Sequence, residues 1–191
     1  MRHAVHFAVL AALFVAVPVR AAADELDRLM GLLAQRTHGH VSFVEEDHLA
    51  VLERPVHSSG ELLYDRPDRL EKRTLTPRAA SLLLQQGTVT VEAHGHKRVL
   101  ALRDYPQIAP LIESLRATLA GDRQALEQLF RVTFDGSLER WTLTLAPLDP
   151  KLRGVVQQIR IAGARDELRS VAISQADGDD SVMIIGASLP P

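Results

Sequence analysis

The 191-residue chain contains no cysteine, and aromatic residues make up only 4% of it. Without cysteine the chain has no disulfide framework, no thiolate nucleophile and no lipidated cysteine to tether it to a membrane. A strong charge of either sign is also missing, because 22 basic and 24 acidic residues give a formal net charge of −2 at pH 7. A surface without a basic block argues against nucleic acid as a partner and against electrostatic attachment to anionic lipid.

Sequence motifs of common enzyme classes are also missing. The sequence has no Gly-x-Ser-x-Gly nucleophile elbow and no His-Glu-x-x-His zinc motif. His57 precedes Ser58 and Ser59, but neighbouring residues on a strand point to opposite faces, so we interpret the serines as turn residues before Gly60. We therefore expect a protein without enzymatic activity and without a cofactor.

Two His-Gly-His triplets, His38/His40 and His94/His96, raise the question of a metal site. Imidazoles on either side of a glycine could converge on zinc, but a structural zinc site usually needs four ligands, and no acidic or thiolate partner is implied. Histidines on solvated hairpin ends are the simpler interpretation, with a metal site as the alternative. Residues 177–180 are likewise interpreted as a turn rather than a calcium loop.

The N-terminus has the order of parts that is typical of a secretory signal peptide. The apolar run 7–17 follows the basic Arg2, and Pro18 and the small residues 21–23 precede the acidic Asp24. We predict a signal peptide at 1–23 and a single domain at 24–191, with an uncleaved membrane anchor as the alternative. An exported protein of this kind is expected in a bacterial periplasm, and secretion beyond the cell is the second possibility.

The first half of the predicted domain contains one helix and then strands. Apolar residues spaced three and four apart predict an amphipathic helix over 24–36, and alternation that includes Leu49 and Val51 predicts a strand over 41–53. Residues 57–77 indicate two strands that meet at Arg66-Pro67-Asp68, because proline cannot donate to a strand ladder. Gly-centred links then predict a meander of three further strands.

The second half begins with helices and returns to strands. A one-sided apolar face from Ile108 to Leu119 predicts a helix that ends at Gly121, and Asp122 caps a shorter helix. Further strands are predicted around 132–134, 141–145, 155–161, 168–173 and 182–185, with turns at 135–136 and 177–178. The pattern predicts an α+β domain built on one antiparallel sheet of about eleven strands, with about three helices.

The order of these elements and three short motifs carry a resemblance to a known family. The motifs are Val41-Ser42-Phe43, Gly60-Glu61-Leu62 and Tyr64-Asp65-Arg66-Pro67-Asp68. The chain resembles the LolA superfamily of periplasmic lipoprotein carriers, in particular its divergent LolA-like branch. The resemblance implies a strongly curved, incomplete β-barrel that cups acyl chains beneath a lid of helices. From the residues alone, the apolar interior could be either a packed core or a ligand cavity.

The resemblance also implies roles for individual residues. In LolA the arginine of the Arg-Pro turn closes the lid by hydrogen bonding to helix and loop backbone and is needed for cargo release, and Arg66 has that position here. A guanidinium can bind several carbonyls at a helix C-terminus, although a surface turn arginine is the alternative. The implied lid contacts are Leu111, Leu115 and Leu119, and the implied wall contacts are Phe43, Leu62, Tyr64, Leu70 and Trp141.

The function that the resemblance implies is carriage of lipid. We expect a monomer that takes acyl chains of lipoproteins or other lipids from an inner-membrane exporter to an outer-membrane acceptor, meeting both transiently. A lipid-sensing or lipoprotein-sensing module without transport is the alternative, and an acyl hydrolase is disfavoured by the missing nucleophile motif. The aliphatic interior and the end of the chain soon after Ile185 depart from LolA and put docking to the usual releasing machinery in question. The absence of cysteine excludes the anchored receptor LolB.

Overall fold

The computed structural model describes residues 19–106 and 109–189. These residues form eleven strands and four α-helices. The first half contains α1 (Val19–Leu33), β1 (His38–His48), β2 (Val56–Asp65), β3 (Arg69–Thr76), β4 (Ala80–Gln85), β5 (Thr88–Ala93) and β6 (His96–Ala101). The second half contains α2 (Ala109–Ala120), α3 (Arg123–Leu129), β7 (Phe130–Ser137), β8 (Arg140–Pro147), α4 (Pro150–Arg153), β9 (Val156–Ala164), β10 (Glu167–Gln175) and β11 (Asp180–Ser188).

All strands belong to one antiparallel sheet with the order β6-β5-β4-β3-β2-β1-β11-β10-β9-β8-β7. The first and last strands pair at its centre, with Phe43 opposite Ile185. The edge strands β6 and β7 do not pair with each other in the described part of the chain, so the barrel is open. Helices α2 and α3 connect these two edges along the chain. The predicted fold class, a curved and incomplete barrel with helices, is confirmed.

One half of the sheet has a densely packed core. Strand β8 alternates fully buried residues, among them Leu143 and Leu145, with partly exposed threonines, because successive side chains of a strand point to opposite faces. These leucines contact β9 on the same sheet and belong to one buried cluster with Leu29 of α1 and Leu126 of α3. Burial of this apolar face of α1 provides most of the stability that a short helix lacks in water.

The turns and caps show which local predictions hold. The strands on either side of Arg66-Pro67-Asp68 are present, and Asp122 caps α3 by accepting from the amide of Ala125 at 3.0 Å. The turn at 177–178 connects β10 to β11 as predicted.

Several local predictions are corrected by the structure. Ser58 and Ser59, interpreted as turn residues, lie within strand β2. Strand β1 ends at His48, and Val51 lies in a loop with 89% of its surface exposed. Strand β7 continues through the turn predicted at 135–136, because Gly136 leaves space where a Cβ would come within 2.2 Å of the Arg140 carbonyl oxygen. Helix α4 was missed, although Asp149 before Pro150 is a recognisable helix start.

The predicted N-terminal boundary remains a prediction. Helix α1 runs from Val19 to Leu33, across the predicted signal peptide boundary after residue 23. Residues 1–18 of the predicted signal peptide, and Ile108 of the predicted central helix, lie outside the described residues. Within the ranges 19–106 and 109–189, none of the helices has the length and apolar character that a membrane span requires.

Candidate functional site

A cavity of about 340 Å³ lies between α2 and the concave face of the sheet. Its volume is within the range of about 300 to 1,000 Å³ that is typical of small-molecule sites. Strands β1 to β4, β10 and β11 form one side, and α2 forms the other. The apolar side chains of its lining are Val41, Leu62, Leu63, Leu70, Leu82, Leu84, Leu111, Ile112, Leu115, Leu119, Leu168, Val171, Ile173, Met183 and Ile185.

Strand alternation explains why the wall is aliphatic. Leu70 pairs with Tyr64 on one side and with Leu84 on the other, so that the three side chains share the concave face. Val171 of β10 pairs with Met183 of β11, and both side chains also line the cavity. Apolar side chains that are half-buried around empty space lack the full set of packing partners that a core residue has. The wall can therefore gain contacts when an apolar ligand enters.

The structure brings most of the residues predicted by resemblance to this cavity. Leu62, Tyr64 and Leu70 line its sheet side, and Leu111, Leu115 and Leu119 line its helical side. Because these leucines are four and eight positions apart, they share one face of α2. Their role as ligand contacts stays a prediction.

Trp141 lies in the packed core and outside the lining of the cavity. Its Nε1 donates to the carbonyl oxygen of Arg165 at 2.9 Å, and its ring lies on Gly163, where a Cβ would be 2.3 Å from Cζ2. A large ring opposite a glycine fills space in one half of the sheet, so Trp141 supports the fold and does not form the wall.

Phe43 also lies outside the lining of the cavity, although it is on the concave face. It is buried over Gly60, and a Cβ on that glycine would be 3.0 Å from Cε1 of the ring. The Nζ of Lys72 lies 5.1 Å from the ring centroid, a distance that permits a cation–π contact. Phe43 therefore supports a lysine that does line the cavity.

Within the described residues, the hydrogen bonds of Arg66 go to the segment after α1 and not to α2. Its Nη1 donates to the carbonyl oxygen of Ala34, one residue after the helix ends, and its backbone N–H donates to the Thr37 carbonyl at 2.8 Å. Carbonyls at the end of a helix lack intrahelical donors and favour a cation. Arg66 thus connects the β2–β3 turn to the C-terminal end of α1.

A polar cluster that was not predicted from the sequence lies at the cavity. Glu45 is only 8% exposed and accepts from Lys72 Nζ, from Ser58 Oγ at 3.1 Å and from Ser181 Oγ at 3.5 Å. Glu45, Lys72 and Ser181 all line the cavity. One signal was available in the sequence, because alternation from Val41 through Phe43 places Glu45 on the same apolar face.

Tyr64 contributes a second polar group near α2. It is 5% exposed, and within the described residues its hydroxyl has no hydrogen-bond partner. Burial raises the pKa of this hydroxyl above its ordinary value, and the positive charges of Arg66 and Arg116 lower that pKa in part. Arg116 of α2 is itself held by Glu113, because its Nε donates to the Glu113 carboxylate at 2.8 Å.

The histidine triplets occupy two different settings. His38 lies at the cavity, and His40 contacts Glu61 at 3.2 Å. Both residues belong to strand β1, so the interpretation of this pair as turn histidines is wrong. His94 is in the turn before β6, and His96 begins that strand. In the part of the chain that the structure describes, no group of three or more His, Asp or Glu side chains is placed to hold a metal ion.

Solved structures with a similar chain trace have low sequence identity. A LolA superfamily protein from Nitrosomonas europaea is 11% identical, with 88% of this chain and 94% of that chain covered and a TM-score of 0.48. The MucA/MucB complex of Pseudomonas aeruginosa gives 14% identity, 89% and 59% coverage and a TM-score of 0.48. LprF from Mycobacterium bovis gives 14% identity, 91% and 95% coverage and a TM-score of 0.40.

The family assignment rests on the sequence. No curated protein matches the chain significantly. A family model described as "Outer membrane lipoprotein carrier protein LolA-like" matches residues 18–189. This range includes every described helix and strand. The chain therefore belongs to the LolA-like family of outer membrane lipoprotein carrier proteins.

Proposed function

We propose that the protein is a non-enzymatic periplasmic carrier that binds an acyl chain of a lipoprotein or another lipid in its cavity. It would carry this cargo from a transient inner-membrane exporter to a transient outer-membrane acceptor. One observation supports the proposal most directly: an aliphatic cavity of about 340 Å³ lies under a helix in a chain of the LolA-like family.

The size of the cavity and the hydrophobic effect support a single bound chain. If a methylene group occupies roughly the 30 Å³ of a water molecule, the cavity holds on the order of ten methylenes. Each methylene removed from water contributes about 0.8 kcal/mol, so one such chain gains about 8 kcal/mol before the costs of binding. A carrier needs binding of this moderate size, because it must also release the chain.

The attachment of α2 supports its role as a lid. Its nearest neighbours among the helices are α1 and α3. The link to α3 passes through Gly121, which has a φ of +66° and lies so close to α1 that a Cβ would be 2.1 Å from the Met30 carbonyl oxygen. This contact fixes the C-terminal end of α2. Movement confined to the other end would open the cavity while Ala117, near the fixed end, stays in the buried core cluster.

Transfer between membranes tests the proposal. Donor vesicles containing a pyrene-labelled acyl lipid are mixed with unlabelled acceptor vesicles, and the protein is expected to accelerate transfer in proportion to its concentration. Lipid binding without accelerated transfer would contradict carriage and favour the sensing module. Absence of lipid binding would contradict both functions. Cleavage of the lipid, followed by mass spectrometry, would contradict a non-enzymatic role.

Replacement of Arg66 by leucine is expected to alter release and leave the fold intact. The bond to the Ala34 carbonyl is exposed, and the loss of one such bond costs about 1 kcal/mol. We expect the Arg66→Leu variant to bind the pyrene lipid like the parent and to deliver it to acceptor vesicles about fivefold more slowly, the factor to which about 1 kcal/mol corresponds.

The control for this variant is Arg169→Leu, which removes an exposed arginine paired with Glu167. It should bind and deliver the lipid like the parent. Parental delivery by the Arg66→Leu variant would refute the release role and leave Arg66 as a surface turn residue.

A further inference from the structure

We propose that Glu45 and Lys72, with Ser58 and Ser181, form a head-group subsite that selects ligands with an uncharged hydrogen-bond acceptor, such as an ester or amide carbonyl. The aliphatic part of the same ligand would occupy the remaining wall. The inference rests on the proposed function, since it specifies what the acyl cargo carries at its polar end. It adds discrimination against both a plain hydrocarbon and a free fatty acid anion.

The cluster is built into the sheet. Glu45 pairs with Ser58 across β1 and β2, whereas Lys72 pairs with Leu62 further along β2. The lysine therefore reaches along the concave face, over the Phe43 ring, to the carboxylate. Gly60 between these positions presents no side chain, which leaves space for the ring. The ammonium group is thus held in place from two directions.

The remaining hydrogen-bonding capacity points to an acceptor. An ammonium group has three donors, and in the described residues Lys72 donates to Glu45 alone. The Glu45 carboxylate already receives three donors, from Lys72, Ser58 and Ser181. Within this cluster, the larger free capacity is therefore that of the Lys72 ammonium, which is a donor.

The charge of the pair decides which acceptor fits. An anionic head at Lys72 would lie beside the Glu45 carboxylate, and a cationic head at Glu45 would lie beside the ammonium. In either case repulsion from the neighbouring charge offsets much of the attraction, so the cost of removing the charged head from water is left largely uncompensated. A neutral carbonyl can accept from Lys72 without either repulsion, and a hydrogen bond to a charged donor is stronger than one between neutral groups.

Stability alone does not account for the pair. Ion pairs taken out of water often contribute no more than apolar residues of similar volume, because removing both charges from water is costly. On the otherwise aliphatic wall of this cavity, a hydrogen bond to a ligand would offset the free-energy cost of removing the Glu45–Lys72 pair from water. Selection of the ligand is therefore the role that the geometry favours.

Competition binding tests the subsite. Methyl laurate, dodecane and lauric acid are each titrated against the fluorescent probe N-phenylnaphthylamine on the full-length protein, at a pH where lauric acid is ionised. We expect methyl laurate to bind about tenfold more tightly than either of the others, as one hydrogen bond to a charged donor allows. The double variant Glu45→Leu/Lys72→Met, which removes both charges together, should lose this preference and still bind dodecane like the parent.

The variant Tyr64→Phe is the matched control, because it removes the other buried polar group of the wall and should keep the preference. Equal binding of all three compounds by the parent would overturn the subsite and leave the carrier proposal intact. Absence of binding by all three would overturn the carrier proposal as well. A preference that survives the double variant, or that is lost in Tyr64→Phe, would place the head group elsewhere and refute the assignment. Because the parent is measured first, the test holds even if the double variant does not fold.

Discussion

Replacement of Met183 by tryptophan is expected to weaken binding of a fluorescent acyl ester by about tenfold or more, with little change in stability. Met183 lines the cavity from β11. A larger ring at this position would occupy the space that the acyl chain needs. Because no side chain of the described residues fills this space, the ring should enter without the cost of about 1 to 3 kcal/mol that overpacking causes in a filled core. Fluorescence titration measures the affinity, and urea unfolding measures the stability.

The neighbouring residue offers the control. Ile184 follows on the same strand but is 54% exposed on the convex face, so Ile184→Trp should bind the ester like the parent. Parental affinity of Met183→Trp would show that ligands do not use this cavity. A loss of stability by about 1 to 3 kcal/mol in Met183→Trp would show that the space is already filled.

Replacement of Leu143 by alanine is expected to lower the free energy of unfolding by about 3 kcal/mol or more. Leu143 is completely buried in the cluster that α1 and α3 cover, and it pairs with Ile161 of β9. The neighbours of such a residue cannot collapse into the gap, so the loss of contacts is added to the loss of burial. Urea unfolding monitored by circular dichroism provides the measurement.

Leu82 is the matched leucine in the other half of the sheet. It lines the cavity and is only partly buried, so Leu82→Ala should cost about 1 kcal/mol, because it enlarges a space that already exists. Equal losses in the two variants would mean that both halves of the sheet are packed alike. That outcome would remove the physical basis of the cavity.

The sequence predicted most helices and strands because their signals are local. The alternation of β8, the helical spacing of α2 and the cap at Asp122 each follow from one short segment. Pairing of consecutive antiparallel strands accounts for each half of the sheet, but not for the central pairing of β1 with β11. The predicted curved and open barrel came from the resemblance, and the order of the strands confirms it.

The division of the sheet into a packed half and a hollow half could not be predicted in this way. Leu82 and Leu84 alternate on β4 just as Leu143 and Leu145 do on β8. The difference arises from which helices lie above them, since α1 and α3 fill one half and α2 covers the other. Trp141 was assigned to the wall for the same reason, because its position in the core depends on Gly163 of another strand.

The polar cluster depends on a contact between distant residues. Glu45 and Lys72 are 27 positions apart in the sequence. The lysine does not lie directly opposite the glutamate, and it reaches the carboxylate only because it extends along the concave face over Phe43. Alternation identifies the face on which each residue lies, but the contact requires the register of three strands.

Native mass spectrometry of the protein purified from a bacterial periplasm shows whether the cavity holds lipid. We expect the parent to retain a single-chain lipid, Ile184→Trp to retain the same lipid, and Met183→Trp to be recovered without it. Collisional release would then identify the chain and its head group. Recovery of the parent at its bare polypeptide mass, or an equal lipid load on Met183→Trp, would refute lipid binding in this cavity.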